Sequence, residues 1–301
     1  MKQEKLGEIM KALPNARFVL QTNGILLDQL DTVYVNRFES VFVSLDGNEA
    51  LTDYYRGKGT YRKVMKNLEA LRRNGYLGEI VARMTVGEVT EIDKQVLELV
   101  RNPIISAIHW QLDALFWQND YPRRRFAEWA KQSYNPRIKK LIQRWVEHMS
   151  TEGKVWTIYP FNGICHSLLM NQRSKLRCGA GWRVFNIQTD GHVTPCPVMA
   201  GMKDFYVGNI MNDTPQTLKN VSVGEPCASC DIFSLCGGRC LYANVTKLWG
   251  PTGFEEVCQT VRNLITGITE VMPEIRKLLE EETITMNDLK NPDYNGCEVI
   301  P

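Results

Sequence analysis

The spacing of the cysteines constrains this chain more than any other feature of its sequence. All nine cysteines lie between Cys165 and Cys297, so the first 164 residues contain no thiol. Seven of them share a pattern with one glycine: Cys178-x12-Gly191-x4-Cys196, then Cys227-x2-Cys230-x5-Cys236-x3-Cys240, then Cys258. Thiolates on short, glycine-rich turns suit soft metal ions and iron–sulfur clusters. The pattern therefore predicts a metal centre in the second half of the chain.

Three other uses of the thiols compete with a cluster. Disulfides need an oxidising compartment, and the start of the chain, MKQEKLGEIM, lacks the apolar core of a signal peptide. A structural zinc site is an open alternative, because Cys-x2-Cys commonly begins a four-cysteine zinc site. Inert packing could explain Cys165 or Cys297 singly, but not a run of seven. The absence of an export signal also predicts a cytoplasmic location.

Composition excludes several classes of protein and of partner. The 301 residues are 44% hydrophobic and 23% charged, as in globular domains, which excludes disordered and collagen-like chains. The formal net charge of +2 does not indicate a nucleic-acid partner. No apolar run approaches the roughly 20 residues of a membrane span, so we expect no membrane partner either.

Helices and strands alternate along the first half of the chain. The pattern predicts helices over 4–13, 60–75 and 92–100, with Thr60 as an N-cap, and strands over 17–21, 40–45, 79–86 and 104–112. This order indicates an α/β fold with a parallel sheet or barrel and helices outside it. Functional side chains of such folds follow the carboxyl ends of the strands. The residues at these ends are Thr22, Asn23, Ser44, Asp46, Arg83, Gln111 and Asp113.

The second half has a different character. Residues 122–152 are charged and helical, with an interruption predicted at Asn135-Pro136. A hairpin is predicted over 183–195 with Asp190-Gly191 in its turn, and a long amphipathic helix over 255–281. The last residues, 282–301, form a polar and loosely held tail in this interpretation.

The seven-cysteine pattern resembles the SPASM domain of radical S-adenosylmethionine enzymes. The first half agrees with it, since TNG at 22–24, SLDG at 44–47 and the segment RGKGTYRKVMKNLEALRRNG are similar to the middle of their partial barrel. The resemblance covers about residues 4–270 and is greatest to the peptide-modifying maturases. It implies an α/β fold: an incomplete radical SAM partial (β/α)6 TIM-like barrel, followed by a small cysteine-rich SPASM iron–sulfur domain.

The resemblance also implies a division of the chain into four regions. Residues 1–121 would be the C-terminal part of the barrel and residues 122–160 a helical bridge. Residues 161–281 would form the SPASM domain with its terminal helix, and 282–301 the polar tail.

Two auxiliary [4Fe–4S] clusters follow from the resemblance. The outer cluster would be held by Cys227, Cys230, Cys236 and Cys258. The inner cluster would be held by Cys178, Cys196 and Cys240, with Cys165 as the expected fourth ligand. The alternatives for that fourth position are an iron open to substrate or water, with Cys165 a packed thiol.

The motif that defines the family, Cys-x3-Cys-x2-Cys, is absent from these 301 residues, as is its Gly-Gly-Glu segment. We therefore expect two strand–helix units, roughly 60 residues, to be missing ahead of the first strand. S-adenosylmethionine and a third [4Fe–4S] cluster would then bind only to a longer form. The rival interpretation is a genuine short protein that has lost catalysis and transfers electrons or binds peptides.

The resemblance assigns the cofactor side to barrel residues. Ser44 and Arg83 would hold the methionine carboxylate of S-adenosylmethionine, and Thr22 and Asn23 lie nearby. The implied reaction is hydrogen abstraction from a ribosomally made peptide or protein by a 5′-deoxyadenosyl radical, with a reductant such as ferredoxin or flavodoxin. No catalytic base is assigned, because Pro197 stands where sulfatase-maturing relatives have an aspartate.

Overall fold

A parallel sheet forms the centre of the first half of the molecule. The structure, a computed structural model, describes residues 3–115, 120–289 and 300–301. The strands of this sheet, in spatial as in chain order, are β1 (Phe18–Thr22), β2 (Phe38–Ser44), β3 (Glu79–Val86) and β4 (Ala107–Leu112). Every neighbouring pair is parallel, so each connection crosses over through helical segments. The predicted α/β order is confirmed.

The two faces of the sheet differ because side chains alternate along each strand. One face packs into the main hydrophobic core through residues such as Val43, Ile80 and Met84. The opposite face has a small apolar cluster that includes Phe42 and Val81. Polar side chains, among them those of Ser44 and Arg83, lie two residues further along the same face. This second face is where a polar ligand can be bound.

The helices vary from one turn to more than eight turns. Those of the first half are α1 (Gln3–Ala12), α2 (Thr32–Val35), α3 (Glu49–Arg56), α4 (Thr60–Arg73) and α5 (Ile92–Val100). Those after the sheet are α6 (Phe126–Trp129), α7 (Asn135–Glu152), α8 (Tyr159–Leu169), α9 (Phe233–Cys236), α10 (Leu241–Thr246) and α11 (Gly250–Glu280). The predicted cap of α4 is wrong by one residue: Gly59 is the N-cap, and the Thr60 hydroxyl donates to the Arg56 carbonyl.

The predicted interruption at Asn135-Pro136 is wrong in position and kind. The chain stays helical through it, and the irregularity is a π-helical turn at Ala130–Tyr134 between α6 and α7. Pro136 is the second residue of α7 and follows this π-helical turn directly, which is where a proline that lacks an N–H interrupts regular α-helical hydrogen bonding. A buried stripe that includes Ile138 and Trp145 then packs α7 into the main core.

The segment after α7 returns to the parallel sheet. Ile158 forms a parallel bridge with Ile108 of β4, and the Ile108 amide donates to the Thr157 carbonyl over 2.9 Å. Tyr159 follows at once, and its hydroxyl donates to the Glu79 carboxylate of β3 over 2.6 Å. These contacts place the start of α8 against the face of the sheet that carries Ser44 and Arg83.

The cysteine-rich half contains a small antiparallel sheet of β5 (Asn186–Ile187), β6 (His192–Thr194) and β7 (Gly208–Asn209). The predicted hairpin is β5–β6, and Gly191 in its turn has φ +86°, a conformation that glycine adopts without strain. The third strand was not predicted.

The long helix α11 joins the two halves. It begins five residues before the predicted start and contributes Val257, Val261, Leu264 and other apolar residues to the main core. The Asn263 amide donates to the Asn135 carbonyl over 3.0 Å, which fixes α11 beside α7.

The segment predicted as a loosely held tail packs into the main core where it is described. Ile284 and Leu289 are buried there. Cys297 lies outside the described residues. Along the described ranges, none of the helices is both long and apolar enough to cross a membrane.

Candidate iron–sulfur site

Four cysteines come from separate turns and one long helix. Cys227 and Cys230 lie in consecutive turns, linked by the hydrogen bond from the Cys230 amide to the Cys227 carbonyl. Cys236 ends the short helix α9, and Cys258 lies near the start of α11. All four are free thiols, and Cys236 is buried.

These four thiols share one electrostatic environment. Burial, followed by the nearby thiols of Cys236 and Cys230, raises the pKa of Cys227 to about 11. Burial, followed by Cys227 and Cys236, raises the pKa of Cys258 to about 12. Each of these two thiols is therefore protonated at neutral pH without a metal, and a metal that binds must displace the protons. The structure brings together the quartet predicted for the outer cluster.

The glycines beside Cys236 make a close approach of two backbone segments possible. Gly237 has φ +71°, and a Cβ there would lie 2.8 Å from the Leu176 amide nitrogen. That amide donates to the Gly237 carbonyl over 2.7 Å. This contact joins the segment before Cys178 to the quartet.

Two of the three cysteines predicted for the inner cluster lie against a second apolar cluster. Cys178 and Cys196 pack against a group formed by Leu176, Ala180, Met199 and Leu241. Cys240 directly precedes Leu241 and is the N-cap of α10, where its sulfur accepts from the Ala243 amide over 3.5 Å. Cys240 packs against the main core, as Cys227 and Cys258 do. A common role of Cys178, Cys196 and Cys240 at an inner cluster stays a prediction.

Cys165 has a different environment. It lies on α8, is fully buried and belongs to the main hydrophobic core. Burial raises the pKa of its thiol to about 12, and Arg276 is the charged neighbour that opposes this shift. Its role as the fourth inner ligand stays a prediction.

Two arginines, the half-buried Arg177 and the buried Arg239, lie beside the cysteines and were not predicted. Arg177 donates through Nε to the Leu235 carbonyl over 2.7 Å and through Nη1 to the Ser167 hydroxyl over 2.9 Å. Arg239 donates through Nε to the Pro301 carbonyl over 2.6 Å. Within the described residues, Nη2 of Arg177 and both Nη atoms of Arg239 have no hydrogen-bond partner. Each arginine directly precedes a motif cysteine, which is the sequence signal that could have found them.

The unused N–H groups of Arg177 and Arg239 show whether this site suits an anionic cluster. A buried guanidinium with unused N–H groups costs free energy unless an acceptor is supplied. Both arginines act electrostatically on Cys236, so the positive charge is next to the thiols. A thiolate-ligated iron–sulfur cluster offers sulfur acceptors and negative charge. The donor set and its charges therefore fit such a cluster.

A single metal ion and a cubane need their ligands at different separations. No group of three or more His, Cys, Asp or Glu side chains in the described ranges is placed to hold one ion. A structural zinc needs four ligands about 2.3 Å from one centre if all are thiolates. A cubane spreads its four ligands over four irons and so accepts thiols that are further apart.

On the sheet, Ser44, Arg83 and His109 form a row across three strands. Ser44 of β2 is in register with Arg83 of β3, and Arg83 is in register with His109 of β4. Ser44 and Arg83 are half-buried, and His109 is buried. The row lies on the face that carries Phe42 and Val81.

Thr22 and Asn23 have local partners. The Thr22 hydroxyl accepts from the Gly24 amide over 3.1 Å, and the side-chain carbonyl oxygen of Asn23 accepts from the Ile25 amide over 3.2 Å. The amide of Asn67 on α4 donates to the Gly24 carbonyl over 2.8 Å. These contacts shape the turn after β1, and a role in cofactor binding stays a prediction.

The acids at the strand ends are held by arginines. Asp46 is fully buried and binds Arg56 through both carboxylate oxygens, at 2.6 and 2.8 Å. Arg124 pairs with Asp113 over 3.2 Å and with Glu88 over 2.7 Å. These acids organise the edge of the sheet, and no base is assigned among them.

Only part of the aromatic stretch at 109–117 belongs to the residues that the structure describes. Trp110 is fully buried, and its indole N–H donates to the Tyr134 hydroxyl over 2.9 Å. Trp110 is thus a core residue, while Phe116 and Trp117 lie outside the described residues.

Comparison with known sequences finds two relatives, although no family model matches the chain. An uncharacterised protein of Archaeoglobus fulgidus is 26% identical over 260 residues, covering 77% of this chain and 58% of that protein. The mycofactocin maturase MftC of Mycolicibacterium smegmatis is 25% identical over 245 residues, covering 74% of this chain and 58% of MftC. The chain thus spans less than two thirds of the length of these relatives.

Comparison with solved structures finds the same fold. A histidine-tagged anSMEcpe with bound AdoMet superposes with a TM-score of 0.70 at 18% identity, covering 98% of this chain and 81% of that one. Native anSMEcpe with bound AdoMet and the Cp18Cys peptide gives a TM-score of 0.69 at 19% identity, with coverages of 92% and 81%. With the similarity to MftC, these matches confirm the resemblance to peptide-modifying radical S-adenosylmethionine enzymes.

Proposed function

We propose that this chain supplies barrel strands and a two-cluster SPASM domain to a radical S-adenosylmethionine oxidoreductase that modifies a ribosomally made peptide or protein. The observation that carries the proposal is the shared environment of Cys227, Cys230, Cys236 and Cys258 next to Arg177 and Arg239, which have unused N–H donors. The similarity to a maturase supports the reaction class. The solved relative that holds both AdoMet and a peptide supports the substrate class.

In this proposal eight of the nine cysteines have an assigned place, and Cys297 has none. Cys227, Cys230, Cys236 and Cys258 hold the outer [4Fe–4S] cluster. The inner cluster is held by Cys178, Cys196 and Cys240, with Cys165 as its fourth ligand. The bound clusters would supply one-electron transfer, and the buried guanidinium groups of Arg177 and Arg239 would neutralise part of their negative charge.

The barrel residues bind and orient the cofactor in a longer form of the protein. Arg83 holds the methionine carboxylate of S-adenosylmethionine through a charge-assisted pair, and Ser44 donates a hydrogen bond to it. Because the two residues are in register, their side chains can reach the same group. A third [4Fe–4S] cluster belongs to that longer form. A small reductant such as ferredoxin or flavodoxin and a cytoplasmic location complete the proposal.

Metal analysis tests the cluster assignment. Anaerobic reconstitution of the 301-residue chain should give about eight irons with matching sulfide, since two cubanes hold four each. Tightly bound zinc without labile sulfide would contradict the proposal and favour the zinc-binding alternative.

A separate assay tests the catalytic part. The 301 residues have no cysteine before Cys165, so they contain no Cys-x3-Cys-x2-Cys segment. We therefore expect the reconstituted chain not to cleave S-adenosylmethionine. Formation of 5′-deoxyadenosine by this chain would overturn that expectation.

The same sequence fact favours a second candidate, a non-catalytic iron–sulfur protein that transfers electrons or binds peptides. The gene sequence upstream of Met1 separates the two candidates. An in-frame Cys-x3-Cys-x2-Cys segment there supports the enzyme, whereas an in-frame stop codon directly upstream supports the second candidate.

A further inference from the structure

One thiol of the quartet has a charged hydrogen-bond donor. Nη2 of Arg262 lies 3.4 Å from the sulfur of Cys230, which is within hydrogen-bond range for a sulfur acceptor. Arg262 comes from α11, four residues after Cys258. Residues four apart lie on the same side of a helix. One face of α11 therefore presents both a ligand thiol and a guanidinium to the quartet.

Asp231 fixes the orientation of this guanidinium. Its carboxylate accepts from Nη1 of Arg262 over 2.9 Å and from Nη2 over 2.6 Å. The pair holds the pKa of Asp231 well below its usual range and raises the pKa of Arg262, so both groups stay charged. Asp231 is 72% exposed, and ion pairs in such positions add little to folding stability. The stability of the fold does not explain this arrangement.

The Asp231 carboxylate also lies beside the Cys230 sulfur. Its Oδ1 is 3.5 Å from that sulfur. An iron-bound Cys230 would carry negative charge, and the carboxylate would repel it. Arg262 contacts both groups, so its charge offsets that repulsion and its N–H becomes the partner of the sulfur.

We propose that Arg262 is a positioning residue that donates to the Cys230 thiolate and raises the reduction potential of the outer cluster. This inference rests on the proposed function. Reduction adds one negative charge to a cluster, and hydrogen bonds to its sulfurs stabilise the reduced state. Loss of the guanidinium should therefore make the outer cluster harder to reduce.

The test is an EPR-monitored redox titration of the full, reconstituted chain, with dithionite as the one-electron reductant. In Arg262→Gln we expect about a tenfold lower ratio of reduced to oxidised outer cluster at a fixed potential, or about 59 mV for one electron. A Cys178→Ala/Cys196→Ala background identifies the signal of the outer cluster. The reduction potential of the inner cluster should be the same in Arg262→Gln as in the wild type, so it serves as an internal reference.

Two further variants separate this role from general stabilisation. Arg262→Lys keeps the charge but loses the fork of donors, and should shift the potential in the same direction by less. Arg144→Gln is the matched control, because Arg144 is an exposed helical arginine paired with Glu147 over 3.1 Å. It should leave both potentials unchanged.

The outcomes distinguish this inference from the proposed function. If the wild-type chain binds no cluster, the proposed function fails and this inference fails with it. If the wild type holds both clusters and Arg262→Gln leaves the potential of the outer cluster unchanged, only this inference is overturned. If Arg262→Gln does not retain the outer cluster, the Arg262→Lys protein is measured instead. A lower reduction potential of its outer cluster supports the role of Arg262. An unchanged potential overturns it.

Discussion

The arginines of the two halves of the molecule differ in their partners. Arg56, beside the sheet, is paired through both nitrogens of its fork with the buried Asp46. Arg239, beside the cysteines, is buried as well, yet both of its Nη atoms have no partner among the described residues. The charges of the barrel half are balanced within the protein, and those of the cysteine half suit an added anion. This difference supports a cluster at the cysteines more directly than the count of thiols does.

Loss of one quartet thiol should cause the largest change in the iron content of the cysteine half. In Cys236→Ala we expect iron to fall from about eight to about four per chain, because the outer cubane loses a ligand. Iron and sulfide analysis after anaerobic reconstitution measures this. Cys196→Ala should also fall to about four irons, while keeping the EPR signal that Cys236→Ala loses. An unchanged iron content in either variant would contradict the ligand assignment.

A core substitution should separate the stability of the barrel half from iron. Trp110→Ala removes a fully buried indole and its hydrogen bond to Tyr134. We expect the free energy of unfolding to fall by about 3–5 kcal/mol, as for large aromatic deletions. Urea unfolding, followed by circular dichroism, should show the same loss with and without iron. A loss confined to the iron-loaded protein would mean that the two halves are not energetically separate.

Replacing Arg239 or Arg56 by methionine should have different effects in the two halves. Arg239→Met removes one hydrogen bond, to Pro301, and two Nη atoms without a partner among the described residues, so the metal-free chain should lose less unfolding free energy than the Arg56→Met chain loses. The same variant should lose iron faster to a chelator, since a charge partner of the cluster is gone. Urea unfolding and chelation kinetics measure the two effects.

Arg56→Met is the matched control for that substitution. It leaves the buried Asp46 without its partner, so the unfolding free energy should fall by about 3–5 kcal/mol with or without iron. Its rate of iron loss should equal that of the wild type. A loss of unfolding free energy in the metal-free Arg239→Met chain as large as in Arg56→Met would refute the contrast between the halves.

Substitution of Cys165 is expected to change cluster binding least. A serine can still offer an oxygen ligand, so Cys165→Ser should change the EPR spectrum of the inner cluster without a loss of total iron. Cys165 is buried in the core, and the substitution also places a hydroxyl there, so thermal unfolding serves as the control for folding. An unchanged spectrum in a folded protein would show that Cys165 is a packed thiol.

Regular segments of the chain could be predicted from the sequence, because their patterns are long. The apolar run around Ser40–Leu45 is β2, and the stripe of Val64, Leu68 and Leu71 is the buried face of α4. The proximity of Cys227, Cys230, Cys236 and Cys258 was also predictable, since their spacing is fixed, while their role as ligands stays a prediction. These features depend on local order along the chain.

Other features depend on contacts between distant segments, which no local pattern reports. The two-residue strand β7 is too short to show a period, and the single bridge at Ile158 depends on the position of β4. The contact between Arg262 and Cys230 joins residues 32 apart in sequence. Ile284 and Leu289 are isolated apolar residues in a polar stretch, so their burial could not be predicted.

The central claim, two iron–sulfur clusters held by two separate cysteine groups, can be tested most directly by anomalous X-ray scattering. Crystals of the anaerobically reconstituted chain would be measured at the iron and zinc absorption edges. We predict two iron peaks, one among Cys227, Cys230, Cys236 and Cys258, and one beside Cys178, Cys196 and Cys240. Peaks at the zinc edge in these places, with none at the iron edge, would contradict the account.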